Sequence, residues 1–208
     1  MVKIVPISVE IMTPLDKEFI FRHLELCIRN CYKSEDKITP DSAEKMIQKI
    51  IELGHEAMLE HFSITVRLIT DIGVYKDLTR HRIASFAIES TRYCNYAKGK
   101  FGSEITVIEP PELIPGTEAY NIWFSTMQQI ERAYNDLAAL GYKADVCRML
   151  LPHSVKASVI MTANIREWRH IFKLRTAKAA HPTVQKTMKI LLQTFKEHLP
   201  VLFDDIAG

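Results

Sequence analysis

Glycine and proline are scarce, 7 and 9 in 208 residues. That scarcity excludes collagen-like repeats and the Pro/Gly-rich composition of disordered chains. Cysteine is thin as well: of Cys27, Cys31, Cys94 and Cys147 only the first two lie close together. Without a second pair of matching spacing there is neither a zinc layout nor a disulfide framework. No stretch approaches the roughly 18 uninterrupted apolar residues of a membrane span, because Lys, Arg or Glu cuts the longest runs. Met1 to Val9 carries one lysine and no apolar core leading to a small-residue cleavage site. No secretory signal is read there, and reduced thiols in a cytoplasm are expected. An excess of one charge sign is missing too. Lys+Arg 27 against Asp+Glu 25 leaves +2, too balanced for a wholesale grip on nucleic acid but compatible with a local anion site. What remains, 47% hydrophobic and 25% charged residues, is the composition of a packed globular chain, long enough for one domain over 1–208 with a sizeable core.

The hydrophobic pattern alternates between two periods. Val2 to Glu10 is β-branched and partly alternating, which predicts an opening strand before Pro14. Asp16 then starts a helix in which Phe19, Ile20, Leu24, Cys27, Ile28 and Cys31 recur at steps of three and four. Pro40, Asp41 and Ser42 open a second helix, striped by Met46, Ile47, Ile50 and Ile51 and stopped at Gly54. Phe62, Ile64, Val66 and Leu68 alternate with polar residues and predict a strand with one buried face. Gly73 to Arg82 reads as a short helix, and the aperiodic stretch after it, to Tyr96, reads as a site-forming loop. Ile105–Ile108 and Val155–Thr162 read as strands, with long helices over Thr117–Leu140 and from Pro182 onward and a shorter one over Ala144–Leu151. Asn164 is placed to cap a further helix. Helices and strands interleave without strict βαβ units, so the expected class is α+β.

Chemistry concentrates in Arg80-His81-Arg82, followed by Ser85, Glu89, Ser90, Arg92 and Tyr93. Three guanidiniums, an imidazole and two serine hydroxyls in fourteen residues suit an oxyanion such as a phosphate, which arginine grips with two parallel donors. A solvated surface or an ion-pair network has the same spacing, and spacing alone does not choose between them. His55, Glu56, Glu60 and His61 have the residue types of a metal site but not the His-x-x-x-His step of a one-face helical pair; no metal is expected. Gly-x-Gly-x-x-Gly is absent, so no glycine turn holds a dinucleotide.

Arg80-His81-Arg82, seven residues, then Ser90, extended by Ser85 and Arg92-Tyr93, resembles the signature of the flavin-dependent thymidylate synthases, the ThyX family. The likeness continues upstream in Gly54-His55-Glu56-Ala57-Met58-Leu59-Glu60-His61. Downstream it runs through Arg148-Met149-Leu150-Leu151-Pro152 and through Asn164-Ile165-Arg166-Glu167-Trp168-Arg169-His170 with Leu174-Arg175. Together these blocks cover roughly residues 16 to 195, well beyond a single short motif.

The resemblance implies a mainly antiparallel sheet flanked by helices, and reductive methylation of dUMP at C5 to dTMP. The methylene would come from methylenetetrahydrofolate and the reducing equivalents from NADPH through bound FAD, in a homotetramer without nucleic-acid or membrane partners. It implies no enzyme nucleophile on the uracil ring, and none of the four cysteines follows a proline as in the classical synthases. Arg175 matches the arginine that would stabilise the ionised ring. The bland reading of Arg175 is a cation at a helix C-terminus. Ser90, Arg92 and Arg148 match nucleotide-binding positions, with amides near Glu89 and Thr91 assisting and Asp77 and Arg80 on the same side. Arg80, His81, Arg82 and Ile83 match one FAD segment, Asn164, Arg166 and His170 a second, and Ala57 and Glu60 a third. Trp168, His81 and Tyr93 read equally as site aromatics or as ordinary packing residues.

Two positions depart from the family pattern: Ile88 and Asp77 stand where Gln or Glu is usual. Isoleucine cannot hydrogen-bond through its side chain, so a polar contact is absent or supplied by Glu89, and Asp77 is shorter with a fixed charge. The departures keep two alternatives open: a ThyX-like enzyme acting on UMP or another pyrimidine nucleotide, and a catalytically impaired relative.

Overall fold

The structure, a computed structural model, describes residues 1–97 and 104–208. The expected opening strand is two strands, β1 (Lys3–Val5) and β2 (Ser8–Ile11). Pro6 falls between them and has no N–H to give to a ladder. β1 pairs in parallel with β5 (Thr106–Ile108), Lys3 opposite Thr106 and Val5 opposite Ile108. A separate four-stranded sheet has the order β2-β3-β6-β4, with β3 at Ser63–Asp71, β4 at Ala84–Ile88 and β6 at Lys156–Asn164. β3 and β6 run antiparallel: Ile165 N donates to Phe62 O at one end, and Ile72 N donates to Val155 O at the other. β2 is antiparallel to β3 by the same logic, with Met12 N on Thr65 O and Arg67 reaching back to Glu10 at 2.9 Å. The residues of β6 alternate buried and half-buried along its whole length, the two-residue period of a strand with one face in the core.

Among the described residues five helices, those beginning at Lys17, Ile72, Glu118, Ile165 and Pro182, start at a side-chain cap. Asp16 accepts from Phe19 N at 3.0 Å and begins α1 (Lys17–Asn30), which buries Ile20, Phe21, Leu24 and Ile28. α2 (Ser42–Glu52) ends before Gly54, whose φ of +71° lies in the left-handed region that glycine enters without a Cβ clash. Asp71 accepts from Val74 N at 2.7 Å and starts α3 (Ile72–Leu78), which stops short of the expected Arg82. Thr117 caps α4 (Glu118–Ala139), followed by α5 (Ala144–Cys147) and a 3-10 turn, Arg148–Leu150. Asn164 caps α6 (Ile165–Arg175), and Pro182 occupies the first turn of α7 (Pro182–His198), ahead of the short α8 (Pro200–Phe203). Elements of both kinds around a largely antiparallel sheet make the α+β fold that was expected. The correction concerns the stretch after α3: part of the presumed loop is β4, a terminal strand of the sheet.

The chain forms two compact units. One comprises Met1–Ser8, Leu68–Arg80 and Ala87–Ile160; the other Val9–Arg67, His81–Phe86 and Met161–Gly208. The first packs Val107, Tyr134, Cys147 and Val155, none of them exposed, with Tyr96 and Met127. The second centres on aromatic rings: Trp168 stacks on Phe172 at 5.7 Å, and Phe195 meets Phe203 edge-on at 5.1 Å. Such pairs add roughly 0.5–1.5 kcal/mol each beyond the area they bury. Among the described residues no helix is long and apolar enough to cross a membrane.

Candidate active site

In the second unit the flavin-side residues gather around α6. Asn164, at the end of β6, accepts from Glu167 N at 2.8 Å, the side-chain cap that starts the helix. From there the helix period separates two faces. Trp168, Ile171 and Phe172 are fully buried, and the Trp168 indole donates to Ile64 O at 3.0 Å, so Trp168 is core. Arg166, Glu167, His170 and Lys173 stand at steps of three and four on the other side, where they line a cleft of about 430 Å³ with Glu56, Glu60, Ile83 and Asn164. Arg166 pairs with Glu60 at 2.5 Å and Lys173 with Glu56 at 3.6 Å. Thus five of the FAD-side positions, Glu60, Ile83, Asn164, Arg166 and His170, share one cavity. Ala57 and Arg82 are exposed and do not line it. Arg80 belongs to the other unit.

His81 is buried beside this cleft and is engaged at both ring nitrogens. Its Nδ1 lies 3.2 Å from Glu167 Oε1, and Arg175 Nε donates to its Nε2 at 3.0 Å. An imidazole nitrogen that accepts from a guanidinium has no proton, so the ring is neutral with its hydrogen on Nδ1, donated to Glu167. The His170 ring meets it edge-on at 5.8 Å. Burial, then the Arg175 cation, holds the His81 imidazole below its ordinary value, with Glu167 pulling the other way and His170 adding slightly to the depression. Protonation would put a charged ring against Arg175 and break the chain Glu167–His81–Arg175. Activity is therefore expected to show an acid limb with its midpoint below 6.5, measurable as a kcat/KM profile that loses this limb in His81→Gln. The same pairing bears on metal binding. Among the described residues one group has ligand spacing, His81, Glu167 and His170, with ligand atoms within 4.8 Å of one another. It is not the His55–His61 cluster, and a cation there would have to displace Arg175 from His81.

The nucleotide-side positions other than Arg175 lie in the first unit. α3 carries Asp77, and Arg80 follows it, exposed, with its N on Asp77 O at 3.4 Å. β4 runs out at Ile88, and the chain then turns. Ser90 O accepts from Tyr93 N and Cys94 N, and Ser90 Oγ from Arg92 N at 3.3 Å. Arg92 lies over the ring of Tyr93, which is 81% exposed and so is not a core residue. Thr91 sits in the same turn, while Arg148 is half-buried in the 3-10 turn after α5. Glu89 departs from expectation. Its N donates to Ser158 O at 2.9 Å, and its carboxylate takes Lys156 Nζ at 2.5 Å, so β6 already occupies the amide and the side chain expected to assist a nucleotide.

Glu56, Glu167 and Lys173 were not among the expected site residues. Glu167 was the most legible of them, because Asn164 and Glu167 have the spacing of a helix-start capping pair, and that pairing concealed its second role on His81.

Residues 20–201 match the family described as thymidylate synthase complementing protein. A flavin-dependent thymidylate synthase of Geobacter sulfurreducens is 30% identical over 193 residues, 86% of this chain and 79% of that protein. The chain belongs to this family. A further flavin-dependent thymidylate synthase, from Corynebacterium diphtheriae, is 29% identical over 200 residues, covering 88% of this chain and 77% of the relative. The fold is shared with thymidylate synthase X of Helicobacter pylori, solved with FAD and dUMP, at a TM-score of 0.77 and 21% identity over 96% of this chain and 98% of that one. It is shared also with PolB, a UMP/dUMP methylase of Streptomyces cacaoi, at 0.75 and 22% identity over 98% and 96%.

Proposed function

We propose that this chain is an FAD-dependent thymidylate synthase that methylates dUMP at C5 to give dTMP, with methylenetetrahydrofolate and NADPH as co-substrates. The observation that carries the reading is the Glu167–His81–Arg175 chain beside a polar cleft, joined to membership of a flavin-dependent family. The cleft fits a dinucleotide by its donor set: Arg166 and Lys173 for a pyrophosphate, the Asn164 amide and His170 for ring edges, and Ile83, 67% exposed, for a flat apolar face. Bound FAD supplies two-electron reduction. Everything else is the work of the chain. Ser90, Arg92 and Arg148 hold the nucleotide, with Asp77, Arg80 and Thr91 on the same side. Arg175 is the cation assigned to stabilise the negative charge that the pyrimidine gains as C5 becomes nucleophilic. Glu60 and Ile83, on the same cleft, complete the flavin contacts, and Ala57 and Arg82 lie outside it.

Two of the four cysteines are unsuited to act as nucleophiles. Cys147 is fully buried, and burial raises the Cys27 thiol above its ordinary value, away from the reactive thiolate. A homotetramer in the cytoplasm, using folate as the one-carbon donor, belongs to the same reading. The test is the visible absorption of the purified protein with added FAD, followed by dUMP titrated into the same cuvette. A flavin spectrum that shifts with dUMP, and shifts less with UMP, is expected; an absence of flavin binding sinks the reading.

A further inference from the structure

Glu89 ties down both ends of the turn that contains Ser90 and Arg92. On its N-terminal side the Glu89 amide is bonded to Ser158 O of β6. Its Oε2 receives Lys156 Nζ at 2.5 Å and Ser158 N at 3.3 Å. Its Oε1 receives the hydroxyl of Tyr96 at 3.3 Å, from the far end of the turn. Tyr96 is itself held, its N donating to the Tyr134 hydroxyl at 3.3 Å, and it is only 3% exposed. Burial first, and then the Glu89 charge, pushes its phenol well above the ordinary value, so it stays protonated and donates. Lys156 and Glu89 are mostly buried, at 20% and 14% side-chain exposure, where a charge pair is screened far less than at the surface.

We infer that Lys156, Glu89 and Tyr96 form a positioning clamp that sets the Ser90–Arg92 turn for the phosphate of the nucleotide, and that Lys156 cancels the Glu89 carboxylate which would otherwise repel that phosphate. The inference rests on the nucleotide site proposed above. It explains why an acidic residue can directly precede a phosphate-binding serine: the carboxylate is spent on β6 and on Tyr96, and its charge is neutralised within one hydrogen bond. The clamp also bears on Ile88, whose side chain offers no hydrogen bond. Glu89 does not substitute for a polar side chain at that position, because its own carboxylate serves the turn and not the ligand.

The experiment compares the FAD-loaded wild type with Lys156→Met, and with Lys156→Met combined with Glu89→Gln. Leaving the Glu89 charge unpaired is expected to raise KM for dUMP about tenfold, the size of one lost charge-assisted hydrogen bond. The loss falls on KM rather than kcat, and FAD affinity, read from the flavin spectrum, stays unchanged. Removing the charge in the double variant should recover most of that loss, and Lys156→Arg should keep KM near wild type. A KM unmoved by Lys156→Met, or a rise that Glu89→Gln fails to relieve, overturns the clamp. If Lys156→Met does not fold, Tyr96→Phe tests the same clamp through its far end, with a KM rise of about threefold expected and an unchanged KM overturning it. Failure of the underlying reading is seen earlier and separately, as a wild-type flavin spectrum indifferent to dUMP.

Discussion

Arg175→Ala is expected to stop methyl transfer while the protein still binds FAD. Arg175 ends α6, and its Nε is bonded to His81 Nε2 at 3.0 Å. A contact through Nε, next to the side-chain stem, sets the plane of the whole guanidinium. Glu167, on the other side of His81, fixes the tautomer that makes the contact possible. A cation so oriented stabilises an ionised uracil in a way that a mobile surface arginine would not, and removing such a group costs about 10²–10³ in kcat. Arg175→Lys should recover little, because an ammonium has no planar edge with which to engage His81 and the ring together. The variant also has a signature in pH. Without the neighbouring cation the His81 imidazole moves up toward its ordinary value, so any flavin-linked titration that reports on His81 should shift to higher pH. Single-turnover assays on flavin-loaded protein would read the first effect, and a pH titration of the flavin spectrum the second. Full turnover with only the pH shift would reduce Arg175 to a helix-end cation, and loss of flavin with normal turnover per remaining flavin would place it on the cofactor.

Much of this was legible in the sequence, for local reasons. The stripes of α1, α2, α4, α6 and α7 repeat at three and four residues over long spans, and their starts carry Asp16, Thr117, Asn164 and Pro182, whose chemistry acts within one turn. β3 and β6 alternate cleanly because one face of each is buried. β4 escaped notice because it ends the sheet and alternates only between half-buried and exposed residues, two alanines and a serine among its five. The contrast that marks a strand is weak there. Pairings across long separations left no local trace: β1 finds β5 about a hundred residues away, and Lys156 reaches Glu89 across sixty-seven. The candidate site divides on the same line. His81, Arg166, His170 and Arg175 could be read from the resemblance. The hydrogen bonds that make His81 neutral and commit Glu89 to β6 are tertiary facts with no pattern to announce them.

The largest expected stability effect is that of Arg169, which stands on α6 three residues after Arg166 and four before Lys173, at the buried edge of the cleft-lining face. Its side chain is 1% exposed. One edge holds Asp205 with two bonds of 2.7 Å, Nη2 also donates to Glu56 at 3.0 Å, and Nη1 donates to Leu202 O. Nε has no partner among the described residues, so the guanidinium is anchored through its terminal nitrogens. Burial opposes the charge on Arg169, but hydrogen bonds to Asp205 and Glu56 outweigh it and keep the guanidinium charged. Partial burial opposes ionisation of Asp205 as well, yet Arg169 lowers that carboxyl below its usual 3.8. A carboxylate lowered on folding stabilises above its unfolded value, and that contribution disappears as pH falls through the lowered one, so the network weakens only in strong acid.

Arg169→Met leaves two carboxylates facing an apolar side chain and is expected to cost about 3 kcal/mol, the low end for breaking a buried pair because Asp205 is partly solvated. For a chain of this length that is a melting temperature lower by roughly 6–12 °C. Because Glu56 lines the cleft and also carries Lys173, the same substitution should weaken FAD binding, which distinguishes it from an ordinary core defect. Adding Asp205→Asn to Arg169→Met removes one stranded charge and should restore part of the stability without restoring the flavin. A melting temperature unchanged by Arg169→Met would mean that desolvation already cancels the ion pairs, and that the aromatic packing of Trp168, Phe172, Phe195 and Phe203 alone holds the second unit together.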